Sequence, residues 1–221
     1  MKRKVMAIVL TMAMAVAGMC GCGKAADSGT SNDTVYKVGI VQYVDDASLN
    51  QIEKAIQAEL DAKGVEYGVT FDYQDYTFNG QADQSILMQI AADLIADEVD
   101  IIIPIATPTA VVMQSATEEN QIPIVFSAVS DPVGAGLVAT NEAPGANITG
   151  TSDAIDTDAI MNLIVTANPD TAKIGLLYDK SQASSLGSIE DAKAYCEANN
   201  IAYVEKQVRQ LRRFRQQQMH L

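Results

Sequence analysis

The run Asp100 to Ile105, reading DIIIPI, constrains the fold of this chain more than any other stretch. It is too short and too rich in β-branched residues for a helix, and it has no polar alternation. A strand of that kind is buried on both faces, as in a parallel sheet covered by helices on each side. Similar runs recur at Tyr36 to Tyr43 (YKVGIVQY), Val69 to Tyr73, Pro123 to Phe126, Lys173 to Tyr178 (KIGLLY) and Ile201 to Val204. Helical spacing of apolar residues separates them. Leu49, Ile52, Ile56 and Leu60 predict a helix that stops at Lys63-Gly64. Ile86, Leu87, Ile90, Leu94 and Ile95 predict a second. Thr107-Pro108 supplies a hydroxyl N-cap and a proline at the first helical position for a third, running to about Glu118. Further helices are expected over Asp156 to Ala167 and Ser184 to Asn199. The alternation defines an α/β protein with doubly wound parallel sheets. It divides into a first lobe over 36–148 and the beginning of a second over 149–205.

The two ends differ from this body. Lys2, Arg3 and Lys4 precede an uncharged apolar run to Met19, which is the pattern of a secretory signal peptide. Cys20-Gly21-Cys22-Gly23 follows it. A cysteine directly after such a run resembles a bacterial lipoprotein signal, so residues 1–21 are expected to be removed and Cys22, with Cys20 as the alternative, to carry the lipid. Residues 22–35 then form a polar tether. From Cys22 to Glu205 there is no arginine; seven lysines stand against all 28 acidic residues, a formal charge of −21. Such a body disfavours nucleic acid and anionic membrane surfaces. Residues 206–221 read KQVRQLRRFRQQQMHL, basic and without acid. The abrupt change of composition reads as a non-family tail from a frameshift or truncation.

Ligands of open α/β sheets bind outside the carboxyl ends of the strands. Those ends deliver hydroxyls and carboxylates: Asp46, Thr107, Thr109, Ser130 and Asp131, then Tyr178, Ser184 and Ser185 in the second lobe. Backbone N–H groups at the Thr107 helix suit a carboxylate, and Asp46, Asp131 and Asp153 could hold an ammonium, so the set fits a zwitterion. Each residue also has a plain structural use, as a cap or in a turn. Catalysis finds no support. The one histidine, His220, lies in the basic tail, no nucleophile elbow or P-loop appears, and no cysteine or histidine cluster has metal-ligand spacing. The G-x-G-x-x-A match at Gly134 to Ala139 follows the fourth strand and opens no helix, against a dinucleotide site. No cofactor or metal is expected.

SDPVGAGLV, at Ser130 to Val138, followed by PGANITGTSD, at Pro144 to Asp153, resembles the paired motifs of a family of ABC transporter substrate-binding lipoproteins that take tryptophan, phenylalanine or related amino acids. IATPTA at Ile105 to Ala110 and GLLYDKSQASS at Gly175 to Ser185 extend the likeness. The resemblance implies the type I periplasmic-binding fold, two α/β lobes with a ligand cleft between them. It implies an extracytoplasmic, membrane-anchored protein, not an enzyme, with a permease and an ATPase as partners. Its cleft would use Asp46, Thr107, Thr109, Ser130, Asp131, Thr151, Asp153, Tyr178, Ser184 and Ser185. The family pattern continues past residue 205, so the second lobe is expected to be half-built and ligand binding weak. A ligand-sensing lipoprotein feeding a receptor kinase, or an exported α/β enzyme, are the alternative readings.

Overall fold

A computed structural model describes residues 34–207, all within one compact unit. The expected signal peptide, both candidate lipidation cysteines, most of the tether and residues 208–221 lie outside the described residues.

Strand β1 (Thr34–Gln42) is buried from Val38 to Gln42 and is flanked by strands on both sides. Its first half pairs with β2 (Val69–Asp72) and its second half, on the same side, with β3 (Thr77–Asn79). On its other side lies β4 (Ile101–Ile105), followed by β5 (Ile124–Val129) and β6 (Ile148–Ser152). All pairings are parallel, in the order β2-β1-β4-β5-β6. Chain order therefore reverses between β1 and β4.

Period-2 alternation sends the side chains to two cores. Val38, Ile40, Ile101, Ile103 and Ile105 face α1 (Ala47–Tyr67), which contributes Leu49, Ile52, Ile56 and Leu60. Val41, Ile102, Ile124 and Phe126 face α2 (Gln84–Ala96) and α3 (Thr107–Ala116), through Leu87, Leu94, Ala110 and Met113. The helices lie on the faces because the strands are apolar on both faces. A second, two-stranded parallel sheet joins β7 (Lys173–Tyr178) to β8 (Ala202–Gln207) through α5 (Ala183–Ala198). Helix α4 (Thr157–Ala167) and α5 pack on it around Met161, Leu176, Ala192 and Cys196. An ionic cluster ties this unit together. The Tyr178 hydroxyl donates to Glu205 Oε2 at 2.6 Å, and Lys193 Nζ lies 3.1 Å from the same oxygen and 2.9 Å from Glu190 Oε1.

Several expectations are corrected. Helix α1 does not stop at Gly64; it continues to Tyr67 and ends at Gly68, whose φ of 66° is the left-handed conformation that favours glycine, with its N–H bonded to the Gly64 carbonyl. Thr107 is not the cap of α3. Ala106 occupies that position and Thr107 begins the helix, which ends at Ala116 rather than Glu118. Two strands escaped the sequence pattern. β3 is three residues long, and β6 is an edge strand in which Ile148 alone is buried, so neither carries a readable alternation. The six-stranded sheet thus runs on to Ser152.

Ile102 is fully buried in the central strand, so Ile102→Ala is expected to lower the unfolding free energy by about 2–5 kcal/mol, read by urea denaturation. The Glu205 carboxyl is held below its ordinary value of 4.5, first by the Tyr178 hydroxyl and then by Lys193. Its contribution is present above that value and is lost as the pH falls through the lowered folded value. Acid titration followed by near-ultraviolet circular dichroism should therefore loosen the tyrosine environment in the wild type, and Glu205→Gln should abolish that acid step.

Candidate functional site

The reversal of strand order between β1 and β4 leaves a crevice at the carboxyl edge of the sheet, because the connections from the two strands leave toward opposite faces. A cavity of about 390 Å³ occupies it. Tyr43, just past β1, lines it together with Ala82 and Gln84 before and in α2, Leu87, and Thr107, Pro108, Val111 and Val112 of α3. Ser181, Gln182 and Ala183, at the start of α5, close it from the second sheet.

Two helix N-termini therefore meet at one cavity, and both lack a side-chain cap. Helices α1, α2 and α4 begin at Asp46, Asp83 and Asp156, each of which accepts from backbone N–H groups of its first turn. Helix α3 begins at Ala106 and α5 at Gln182, and neither residue makes a side-chain cap bond. Each helix start carries about half a positive charge on its unsatisfied N–H groups. The Thr107 hydroxyl, in a residue only 2% exposed, has no partner, nor does the fully buried hydroxyl of Thr109. Ala106 stands at φ 81°, ψ 151°, a region populated essentially by glycine. The sheet holds it there: its N–H donates to the Ser127 carbonyl at 2.9 Å and its carbonyl accepts from Ala110.

The expected site residues separate into groups. Thr107 lines the cavity and Thr109 lies in the same helical turn. Ser184 and Ser185 lie in the first turn of α5, beside the lining residues. Ser130 and Asp131 follow β5. Asp131 Oδ1 accepts from the Gly134 N–H at 2.8 Å, and a Cβ on Gly134 would push the carboxylate from its present position. The other carboxylate oxygen comes close to α5, 3.3 Å from where a Cβ on Gly187 would stand.

Other expected residues are engaged elsewhere. Asp46 is exposed and caps α1, its Oδ1 accepting from Ser48 at 2.8 Å and Leu49 at 3.4 Å. Thr151 lines a different, mainly apolar hollow of about 520 Å³ on the α1 face, with Ile103, Val125 and Phe71. Asp153 is exposed and contributes its N–H to the Val129 carbonyl. Tyr178 is buried with its hydroxyl committed to Glu205. The sequence reading missed Ala82, Gln84, Leu87, Val111 and Val112 as cavity walls. Leu87 sits on a helix whose apolar stripe signalled only core, and β3, which places the Ala82 turn, is too short to read.

The match to a model of the family described as ABC transporter substrate binding protein spans residues 37–219, and the chain belongs to that family of solute-binding proteins. The matched span takes in all but the last two residues of the basic 206–221 stretch. The chain is 33% identical over 213 residues to a tyrosine-binding protein of Clostridioides difficile (strain R20291), covering 92% of this chain and 60% of that protein. It is similar to an ABC domain from Streptococcus pneumoniae solved in complex with L-Trp, at 34% identity and a TM-score of 0.71, covering 79% of this chain and 58% of that one. A leucine-binding protein of Thermotoga maritima, 17% identical over 78% of this chain and 48% of its own, shares the fold with a TM-score of 0.60. The fold is that of the type I periplasmic-binding proteins. The chain spans about 60% of the length of its curated relative.

Ala106→Gly should raise stability by about 1 kcal/mol. It relieves a strain of roughly 1–3 kcal/mol and loses roughly 0.5–1 kcal/mol to the greater freedom of glycine in the unfolded chain. The midpoint of urea unfolding measures it, and a lower midpoint would contradict the strain at this position.

Proposed function

We propose that the protein is an extracytoplasmic solute-binding lipoprotein of an ABC importer and that it takes a zwitterionic amino acid with an aromatic side chain. The observation that carries this is the meeting of two uncapped helix N-termini, of α3 and α5, at the switch-point cavity beside the unpartnered Thr107 hydroxyl. That arrangement binds a carboxylate. The walls formed by Tyr43, Leu87, Val111 and Val112 suit an aromatic ring, at a volume within the range of small-ligand pockets. The names of the tyrosine-binding relative and of the L-Trp complex agree with that choice.

In this reading the cleft lies between a first lobe on the six-stranded sheet and a second that begins with β7, α5 and β8. Thr107, Thr109, Ser184 and Ser185 serve the carboxylate end, and Ser130 and Asp131 form the wall beside α5. The lipid anchor sits on Cys22, with Cys20 as the alternative, and a permease and an ATPase receive the solute.

Titration of the chain with millimolar L-tryptophan, followed by backbone amide chemical shifts, should move the signals of Tyr43, Thr107 and Ala183. Tryptamine, which lacks the carboxylate, should not move the Thr107 and Ala183 signals. Thr107→Val should weaken L-tryptophan by about tenfold, the loss of one hydrogen bond to a charged group. A response to a sugar or a nucleoside, with none to any amino acid, would overturn the reading.

A further inference from the structure

The loop that enters α5 changes its hydrogen-bonding sign within a few residues. β7 ends at Tyr178, and Asp179-Lys180-Ser181-Gln182 leads into α5. Asp179 Oδ1 accepts twice from Ser181, from its backbone N–H at 2.9 Å and from its hydroxyl at 2.7 Å. A carboxylate only accepts, and a serine hydroxyl has one hydrogen. That hydrogen is therefore committed to Asp179, and Ser181 Oγ has only lone pairs left. Ser181 lines the cavity, so it offers a bound molecule an acceptor and no donor. From Ala183 onward the first turn of α5 offers the opposite, N–H groups without a side-chain cap.

The other polar side chains on the cavity wall have no such fixed polarity. The Thr107 hydroxyl has no partner and can donate or accept. The hydroxyl of Tyr43 and the amides of Gln84 and Gln182 carry both kinds of group. Ser181 is the wall residue whose oxygen a carboxylate has set as an acceptor. A full negative charge stands one hydrogen bond behind it, so a cation that reaches Oγ is drawn by both. An amino acid carries its ammonium and its carboxylate on one carbon. A site for it needs acceptors and donors side by side, and the two sides of Gln182 supply them. The carboxylate end is served by the helix starts, while Asp46 and Asp83 are committed to capping α1 and α2.

We propose that Ser181 is a specificity-determining residue of this cleft. Its Oγ, held as an acceptor by Asp179, takes a hydrogen bond from the ammonium of the bound solute. The assignment rests on the amino-acid reading of the cavity. Asp179 acts through Ser181 and is a positioning residue. The pair makes the second unit, and not the six-stranded sheet, the part of the molecule that reads the amino group.

The test measures L-tryptophan against indole-3-propanoate, the same molecule with hydrogen in place of the amino group, on the full chain. Affinities come from chemical-shift titration and are read as a ratio, so a change that lowers both equally cancels. Ser181→Ala is expected to shift the ratio about tenfold against L-tryptophan, the loss of one hydrogen bond to a charged group. Ser181→Thr keeps a hydroxyl and should hold the ratio within about twofold of the wild type. Asp179→Asn keeps an oxygen for both Ser181 donors and removes the charge. It should shift the ratio in the same direction by about threefold. An unchanged ratio in Ser181→Ala, or a threonine variant as poor as the alanine one, overturns the role of Ser181 while the amino-acid reading stands. An unchanged ratio in Asp179→Asn overturns the part given to Asp179. Wild type that binds indole-3-propanoate as tightly as L-tryptophan overturns the ammonium pairing alone. Failure of the wild type to bind either ligand overturns both readings.

Discussion

The crevice at the carboxyl edge of the six-stranded sheet depends on the pairing of β1 with β4. Both strands are apolar on both faces, so each must be covered above and below. Helix α1 covers one face and α2 and α3 the other, and the connections diverge from the line where the two strands meet. No helix can then close over their carboxyl ends. The crevice follows from satisfying two hydrophobic faces at once. The residues that follow those strands, Tyr43 and Thr107, are the ones the cavity receives.

The charge of the protein makes the chemistry of that crevice instructive. The body is strongly acidic, yet the cavity suits a carboxylate. The two facts agree because they act over different distances. Exposed charges beyond about 8 Å are largely screened at physiological ionic strength. The N–H groups of α3 and α5 would act at contact distance in a partly enclosed space. Three helices quench their N-terminal partial charge with an aspartate, and the two at the cavity do not. The strained Ala106 and the unpartnered hydroxyls of Thr107 and Thr109 sit at the same place.

The strand–helix alternation was legible because long apolar runs and 3.6-residue stripes are local signals. DIIIPI and KIGLLY became β4 and β7, and Leu49 to Leu60 and Ile86 to Ile95 became the packed faces of α1 and α2. Local signals failed where two residues compete for one role. Gly64 and Gly68 are both plausible stops for α1, and the left-handed backbone falls at the second. Thr107 has the chemistry of a cap, but the bond from Ala106 to Ser127 on the neighbouring strand sets the register of α3 one residue earlier. β6 has a single buried residue, so its place in the sheet comes from pairing with β5 rather than from any pattern of its own.

The site divides along the same line. Residue type and strand ends nominated Thr107, Thr109, Ser130, Asp131, Ser184 and Ser185 as candidates, and of these Thr107 lines the cavity. Whether a polar side chain is available to a ligand is a tertiary question, because the competing partner comes from elsewhere in the chain. Glu205 on β8 claims Tyr178, and the sheet edge carries Thr151 to the opposite face of the molecule from the cavity helices. The sequence by itself determined a parallel α/β architecture, since hydrophobic periodicity is written along the chain. Only the tertiary structure decided which donors and acceptors remain unfilled, since that depends on neighbours distant in sequence.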